Sequence, residues 1–274
     1  LFPFSKQLEY LAVKTVKDSK GNKAFIDERL LNSPAIAVSE SKNYTIKMGQ
    51  IAIESLLNSI ELLDGFDSKK AEAIIKHEQS LDEYEDKLGT FLVKVSGHVH
   101  TEEDTHTVAT LLHVIGDFER IGDHAVNIMK AAEEIHTKEI RFSDSAVKEI
   151  KVATNALKEI LVTTEKAFSA NDLSVALNIE PLEQVIDDIL AEIKSRHISR
   201  LTGGNCTIEL GFVLSDLITN FERVSDHCSN IAVCMIQISQ SAFDTHKYLN
   251  NYKSSGSEEF TGKFREYKEK YILP

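Results

Sequence analysis

Four pairs of acidic residues in this chain share one spacing, a glutamate followed four residues later by an aspartate. On a helix, residues four apart lie on the same face, so each pair directs two carboxylates the same way. Like charges placed in this manner repel each other. A multivalent cation between two such pairs would remove the repulsion, because carboxylates supply the hard oxygen ligands that such ions take. The spacing therefore predicts metal binding at Glu78, Asp82, Glu119, Asp123, Glu183, Asp187, Glu222 and Asp226.

Two other interpretations of the acidic pairs stay open at the level of sequence. Paired carboxylates are common on solvated helix faces. Arg120 and Arg223, next to two of the glutamates, can lock neighbouring helices through ion pairs, which would give a helical scaffold without metal. His124 and His227 directly follow two of the aspartates and turn away from the carboxylates, so a histidine with other partners is favoured over a metal ligand.

Motifs of the familiar enzyme classes are absent from the sequence. A ferritin-type di-metal centre needs Glu-x-x-His motifs on two facing helices. The two matches, Glu103/His106 and Glu133/His136, fall on one predicted helix, about 45 Å apart. The sequence has no Gly-rich phosphate loop, nucleophile elbow or zinc-protease motif. We therefore expect a protein that is not an enzyme, without catalytic residues or an organic cofactor.

The acidic pairs belong to a tandem duplication. Residues 118–128 read FERIGDHAVNI and residues 221–231 read FERVSDHCSNI, and seven of the eleven positions are identical. The Glu-x-x-x-Asp pair at Glu78 recurs at Glu183, displaced by 105 residues, whereas the FER stretches are displaced by 103. Three helices should therefore occur twice in the same order.

The apolar residues recur at helical steps through most of the chain and predict six long helices. These run from about residue 40 to 64, 69 to 97, 101 to 136, 143 to 170, 173 to 202 and 207 to 241. No stretch alternates with the period of a strand, and the short connections favour antiparallel neighbours. The predicted fold is all-α, with two tandem antiparallel three-helix bundles. Counting about 100° per residue places Glu119 at the border of an apolar face, in a groove partly open to water.

Four segments follow from this pattern. Residues 1–39 are predicted to be a lysine-rich amphipathic segment and a linker, residues 40–138 the first repeat, and residues 139–243 the second. Residues 244–274 are predicted to be a C-terminal extension with a short helix at about 258–271.

The composition excludes several classes of protein. The formal net charge of −12 disfavours a nucleic-acid partner, which needs clustered Lys and Arg. Three cysteines without a spacing framework indicate a reducing compartment. No apolar run approaches the length of a membrane-spanning helix, and no signal peptide is evident. Because the chain starts at Leu1, we expect a fragment or a processed product.

The doubled FER(I/V)xDHxxNI stretch, with Glu-x-x-x-Asp in the preceding helix, resembles the PhoU family of bacterial phosphate regulators over about residues 40–245. The resemblance implies two three-helix bundles related by pseudo-twofold symmetry. It also implies multinuclear iron or zinc clusters at the bundle surface, one held by Glu78, Asp82, Glu119 and Asp123 and the other by Glu183, Asp187, Glu222 and Asp226. The second repeat departs from the first at Asn220, where the first has Asp117, so we expect a weaker second metal site.

The flanks look like the C-terminal part of bacterial sodium/phosphate cotransporters. LFPF and the lysines between residues 6 and 23 suit the cytoplasmic side of a membrane just after a last span. We therefore expect a metal-binding regulatory domain at the cytoplasmic face of the plasma membrane. Its partners would be the transmembrane part of the same sodium-dependent transporter chain and phosphate-signalling proteins, and self-association is left open. The alternatives are a free-standing PhoU-type regulator, acting on an ABC transporter and a sensor kinase, and the metal-free scaffold.

Overall fold

A computed structural model describes residues 26–204, 206–239 and 258–274, and within these ranges the regular structure is entirely helical. In this described part of the chain, a 3₁₀ turn at Glu28–Asn32 precedes eight α-helices. They are α1 (Pro34–Leu62), α2 (Ser68–Ser96), α3 (Glu102–Thr137), α4 (Asp144–Ala170), α5 (Leu173–Ala176), α6 (Ile179–Thr202), α7 (Ile208–Ser239) and α8 (Glu258–Lys270). The predicted all-α class is confirmed.

The helices form two three-helix bundles in chain order. Helices α1, α2 and α3 pack against one another, α4, α6 and α7 do the same, and α3 packs along α7 to join the bundles. Fully buried side chains such as Met48, Leu81 and Phe118 fill the first bundle. The corresponding faces of α4, α6 and α7 bury Leu157, Ile186 and other apolar residues in the second. The carboxylate-bearing helices α2, α3, α6 and α7 thus each have one face fixed by the core.

Polar residues fix where the helices begin and end. Asp67 accepts a hydrogen bond from the backbone N–H of Lys69 (2.8 Å), and Ser143 accepts one from Ala146 (3.3 Å), so both act as N-caps. At the end of α4, Asn171 adopts the left-handed conformation with φ of 52°. These caps lie at the breaks between the predicted helices.

Two predicted boundaries are wrong. Helix α1 begins at Pro34, not near residue 40, because proline is well suited to the first turn of a helix and Ala37 is already fully buried. Residues 34–39 are therefore helix and not linker. The predicted fifth helix is split into α5 and α6, because the ring of Pro181 would clash with the carbonyl of Leu177 in a continuous helix.

The predicted C-terminal helix is present as α8, which packs against α6 through an ion pair between Lys268 and Asp188 (2.9 Å). Two other predicted features lie outside the described residues. These are the lysine-rich segment up to residue 25 and the stretch from residue 240 to 257. Among the described helices, none combines the length and apolar character that crossing a membrane would require.

A close approach between α1 and α3 gives the first stability prediction. A Cβ atom on Gly49 would lie 2.6 Å from Cζ of Phe118 and 2.9 Å from two further atoms of the same ring. The ring cannot move freely, because it is fully buried and packs edge-on against Phe168, with centroids 5.3 Å apart. We expect Gly49→Ala to lower the free energy of unfolding by about 1–2 kcal/mol, the overpacking cost exceeding the gain in helix propensity.

Gly116 in α3 is the matched control for Gly49, because a Cβ atom there meets nothing within 4 Å. Gly116→Ala should therefore raise stability by about 0.5–1 kcal/mol through helix propensity alone. Urea unfolding of both variants followed by circular dichroism checks the pair. A Gly49→Ala variant as stable as Gly116→Ala would show that the ring of Phe118 does not constrain α1.

Candidate metal centres

Six of the eight predicted carboxylates converge in two groups of three. Glu78 and Asp82 of α2 meet Asp123 of α3, and in the second bundle Glu183 and Asp187 of α6 meet Asp226 of α7. Within each group, one carboxylate oxygen from each residue lies within 4.8 Å of the others. Oxygen ligands bind hard cations at about 2.0–2.6 Å, so ligands on opposite sides of an ion stand about 4–5 Å apart. The spacing of each triad therefore fits a single cation.

The other two predicted carboxylates, Glu119 and Glu222, lie outside these triads but next to them. Burial and then the charge of Asp123 raise the pKa of Glu119 to about 6, and Asp82 and Glu85 add to the effect. Glu222 is exposed, and its charge helps to raise the pKa of Asp187. Both glutamates flank their triads and carry additional negative charge to them.

Glu85 is a functional candidate that the sequence analysis missed. It lies three residues after Asp82 on α2, and its charge acts on Glu119. The spacing would have placed it on the same helical face. The comparison of the two repeats could not identify Glu85, because the second repeat has no acidic residue at the equivalent position. The residue displaced by 105 positions is Leu190, which is buried. Glu85 thus adds a further acidic side chain to the surroundings of the first group.

The electrostatics of both groups favour a cation. Burial, followed by the charges of Asp82 and Asp123, raises the pKa of Glu78, and Lys130 offsets only part of this. Burial and the charges of Asp226 and Glu222 raise the pKa of Asp187 to about 6. In each case burial and neighbouring carboxylates disfavour the charged form. The residues present therefore fit a hard multivalent ion, which would neutralise this repulsion.

The repulsion at Asp187 predicts a pH dependence of the metal-free protein. Its ordinary pKa of 3.8 applies in the unfolded chain, whereas the folded value is about 6. Between about pH 4 and 6 the folded protein holds a proton that the unfolded chain has lost, so stability falls as the pH rises through this window. Asp187 is only partly desolvated and keeps contact with water, which screens its charge, so we expect a loss of about 1 kcal/mol.

The comparison with Asp187→Asn isolates this contribution from those of other titrating groups. With a chelator present, the unfolding free energy of the wild-type chain should fall by about 1 kcal/mol more than that of the variant between pH 4.5 and 7. Thermal unfolding at several pH values measures the difference. Parallel pH profiles for the two chains would contradict the assignment.

The two arginines beside the glutamates do not join neighbouring helices as the scaffold interpretation expected. Arg120 lies 3.4 Å from Glu119 and 3.6 Å from Asp123, and Arg223 lies 3.3 Å from Asp226. Each of these pairs lies within a single helix, and the side chains of Arg120 and Arg223 are 62% and 60% exposed. Exposed pairs of this kind contribute less than about 1 kcal/mol. These arginines therefore offer the clusters an exposed counter-charge and not a buried one.

The two histidines of the repeated motif lie at the interface between the bundles. Nδ1 of His124 is 2.8 Å from Oδ1 of Asn220, and Nδ1 of His227 is 2.9 Å from Oδ1 of Asp117. The amide of Asn220 donates to the carbonyl of Asp216, so its oxygen accepts and Nδ1 of His124 carries the proton. Both histidines therefore have partners other than the carboxylate triads.

This pairing is reciprocal between α3 and α7. Asp117 corresponds to Asn220 and His124 to His227 at the displacement of 103 residues, and each histidine contacts the opposite repeat. Self-complementary contacts of this kind are what a twofold relation between two equivalent helices produces. The reason for expecting a weaker second metal site does not hold, because Asn220 lies at this interface and is not part of the second triad.

Comparison with known proteins identifies what both repeats resemble. The model of the PhoU domain matches residues 45–132 and 150–235. The phosphate-specific transport system accessory protein PhoU homolog 1 of Thermotoga maritima is 25% identical over 218 residues, which are 79% of this chain and 92% of the relative. A PhoU homolog of the same description from Xylella fastidiosa is 22% identical over 187 residues, 68% of this chain and 77% of the relative.

Solved structures show the same fold. PhoU from Pseudomonas aeruginosa superimposes with a TM-score of 0.70 at 16% identity, over 76% of this chain and 99% of that one. The phosphate transport system regulatory protein PhoU from Streptococcus pneumoniae gives 0.66 at 18% identity, over 77% and 98%. At these identities the likeness is evidence for the fold alone.

The relatives correct the function expected from the flanks. They are accessory proteins of phosphate-specific transport, and the matched region makes up nearly all of the Thermotoga maritima protein. The interpretation as a regulatory domain of a sodium-dependent transporter is therefore wrong, and the relatives do not support the transmembrane part of the same chain as its partner. The flanking segments could not identify the family, because amphipathic, lysine-rich composition specifies a charge pattern and not a protein family.

Proposed function

The chain belongs to the PhoU domain family, and on that premise we propose that it is an accessory protein that regulates phosphate transport. The observation that carries the proposal is the match of both repeats, at residues 45–132 and 150–235, to one family model. Relatives described as phosphate-specific transport accessory proteins cover 79% and 68% of this chain. The proposed role is regulatory and not catalytic.

The partners that we propose are components of the phosphate transport machinery, at the cytoplasmic face of the membrane. An ABC transporter for phosphate and a phosphate-sensing kinase are the two classes of partner. The net charge of −12 supports recognition through protein contacts and not through anionic lipid or nucleic acid.

Metal binding at the two carboxylate triads is the second part of the proposal. Glu78, Asp82 and Asp123 would hold one cation, and Glu183, Asp187 and Asp226 the other. Glu119 and Glu222, whose charges act on the triads, would supply the further carboxylates of a multinuclear centre. The donors are all carboxylate oxygens, which suit hard divalent or trivalent ions, and iron or zinc is the identity that the family resemblance favours. A bound ion would neutralise the clusters and tie α2 to α3 and α6 to α7.

Membrane sedimentation tests the accessory role. Purified chain is mixed with inverted membrane vesicles from a bacterium that has a phosphate-specific transport system, and with vesicles from the same strain lacking the transporter genes. The proposal predicts that more chain sediments with the transporter-containing vesicles. Equal sedimentation with both preparations would contradict it.

A further inference from the structure

A cavity of about 350 Å³ lies where the two bundles meet, away from both carboxylate clusters. Its walls come from the end of α1, the end of α3, the connection before α4, the first turns of α4 and the middle of α7. Since α1 and α3 belong to the first bundle and α4 and α7 to the second, anything bound here touches both. Small-molecule sites commonly occupy such junctions and have volumes of about 300–1,000 Å³.

The walls of the cavity are mostly apolar. Ile60 and Leu217 form its buried base, and the half-buried Ile135, Phe142 and Ile150 form its sides. The one hydroxyl in the wall belongs to Thr154, and it already donates to the carbonyl of Lys151 (3.2 Å). The interior therefore has little to offer a polar ligand and favours an aliphatic one.

The mouth of the cavity is positively charged. Lys148 and Lys151 stand there with one acidic residue, Asp64. Lys151 is paired with Asp64 at 2.7 Å, whereas Lys148 makes no ion pair with any of the residues that the structure describes. In a chain with a net charge of −12, an unpaired lysine beside an apolar cavity is a local reversal of charge. It complements an anionic group at the mouth.

We propose that this cavity binds a medium-chain carboxylate, with its aliphatic tail between the two bundles and its carboxylate beside Lys148. Val147, a hydrophobic side chain that is 52% exposed at the mouth, would cover the first methylene groups. A tail of roughly eight carbons suits a cavity of this size. The proposal is independent of the role in phosphate transport. Because the carboxylate would contact both bundles, its binding would affect how the two bundles pack against each other.

Chain length is the first test. Isothermal titration calorimetry of the whole chain with butanoate, hexanoate and octanoate should show affinity rising about fifteenfold for each two methylene groups that become buried. Octan-1-ol, which has the same tail without the charge, should bind more weakly than octanoate. Octanoate that fails to bind at millimolar concentration, or a series without dependence on length, would overturn the proposal.

Charge reversal at the mouth is the second test. Lys148→Glu, an exposed position that should not affect folding, is expected to weaken octanoate binding at least about fivefold. The matched control is Lys166→Glu, an exposed lysine on the same helix that does not line the cavity, and it should bind octanoate like the wild-type chain. Equal binding by both variants would place octanoate elsewhere and refute the assignment. Binding to phosphatidylglycerol vesicles without binding of free octanoate would also refute it.

Discussion

Replacing Glu149 by leucine is expected to lower the free energy of unfolding by about 3–5 kcal/mol. Glu149 is only 2% exposed, and its two oxygens accept hydrogen bonds from both terminal nitrogens of Arg200, at 3.0 and 2.8 Å. Arg196 approaches the same carboxylate at 3.5 Å. The substitution leaves Arg200, whose side chain is 17% exposed, without its counter-charge. This cluster joins the start of α4 to the end of α6.

Glu192→Leu provides the control for Glu149. Glu192 also pairs with Arg196, at 2.8 Å, but its side chain is 53% exposed and the pair lies within one helix. Its loss should cost less than about 1 kcal/mol. Urea unfolding of the two variants measures both values. If they destabilise the chain equally, burial does not set the strength of the Glu149 ion pair and the account of this helix junction is wrong.

The double variant Glu78→Gln, Asp123→Asn is expected to lose the metal of the first cluster and to keep that of the second. Two of the three converging carboxylates would become amides, which are weaker ligands and carry no charge to attract a cation. Metal analysis of the purified chain by mass spectrometry should show about half of the wild-type content. The corresponding variant of Glu183 and Asp226 should show the reverse loss, because the two triads have the same composition.

Asp117→Asn is the matched control for the cluster variants. Asp117 is on α3, as Asp123 is, but it accepts a hydrogen bond across the bundle interface from His227 and is not part of the triad. The second repeat already has asparagine at the equivalent position, Asn220, so the change is compatible with the fold. Metal content should be unchanged. A loss as large as that of the cluster variant would mean that overall charge, and not the triad, holds the ion.

Much of the fold could be predicted because its signals are local. Apolar periodicity and capping residues such as Asp67 and Ser143 mark the long helices, and the repeated motif indicated two equivalent bundles. The errors occurred at prolines. Pro34 was interpreted as part of a linker although it starts α1, and Pro181 splits a helix that periodicity alone would continue.

The candidate site could be predicted in part, for the same physical reason. A spacing of four residues places two carboxylates on the same face of a helix. This spacing identified the six carboxylates that converge in the two triads. It could not show that Glu119 and Glu222 flank the triads, because that depends on how far each helix is rotated against its neighbour. Nor could it show that Asp117 and Asn220 meet the histidines, since the packing of α3 on α7 joins residues about a hundred positions apart.

Phosphate uptake in living cells tests the central claim most directly. A bacterium whose own PhoU gene has been deleted receives this chain, an empty vector, or a variant of this chain with both clusters neutralised. The variant carries Glu78→Gln, Asp123→Asn, Glu183→Gln and Asp226→Asn. The uptake of labelled phosphate is then measured at high external phosphate. We predict that the wild-type chain shifts the uptake rate towards that of the parent strain, and that the variant, accumulating to the same level, does not. Uptake indistinguishable between the wild-type chain and the empty vector would contradict a role in regulating phosphate transport.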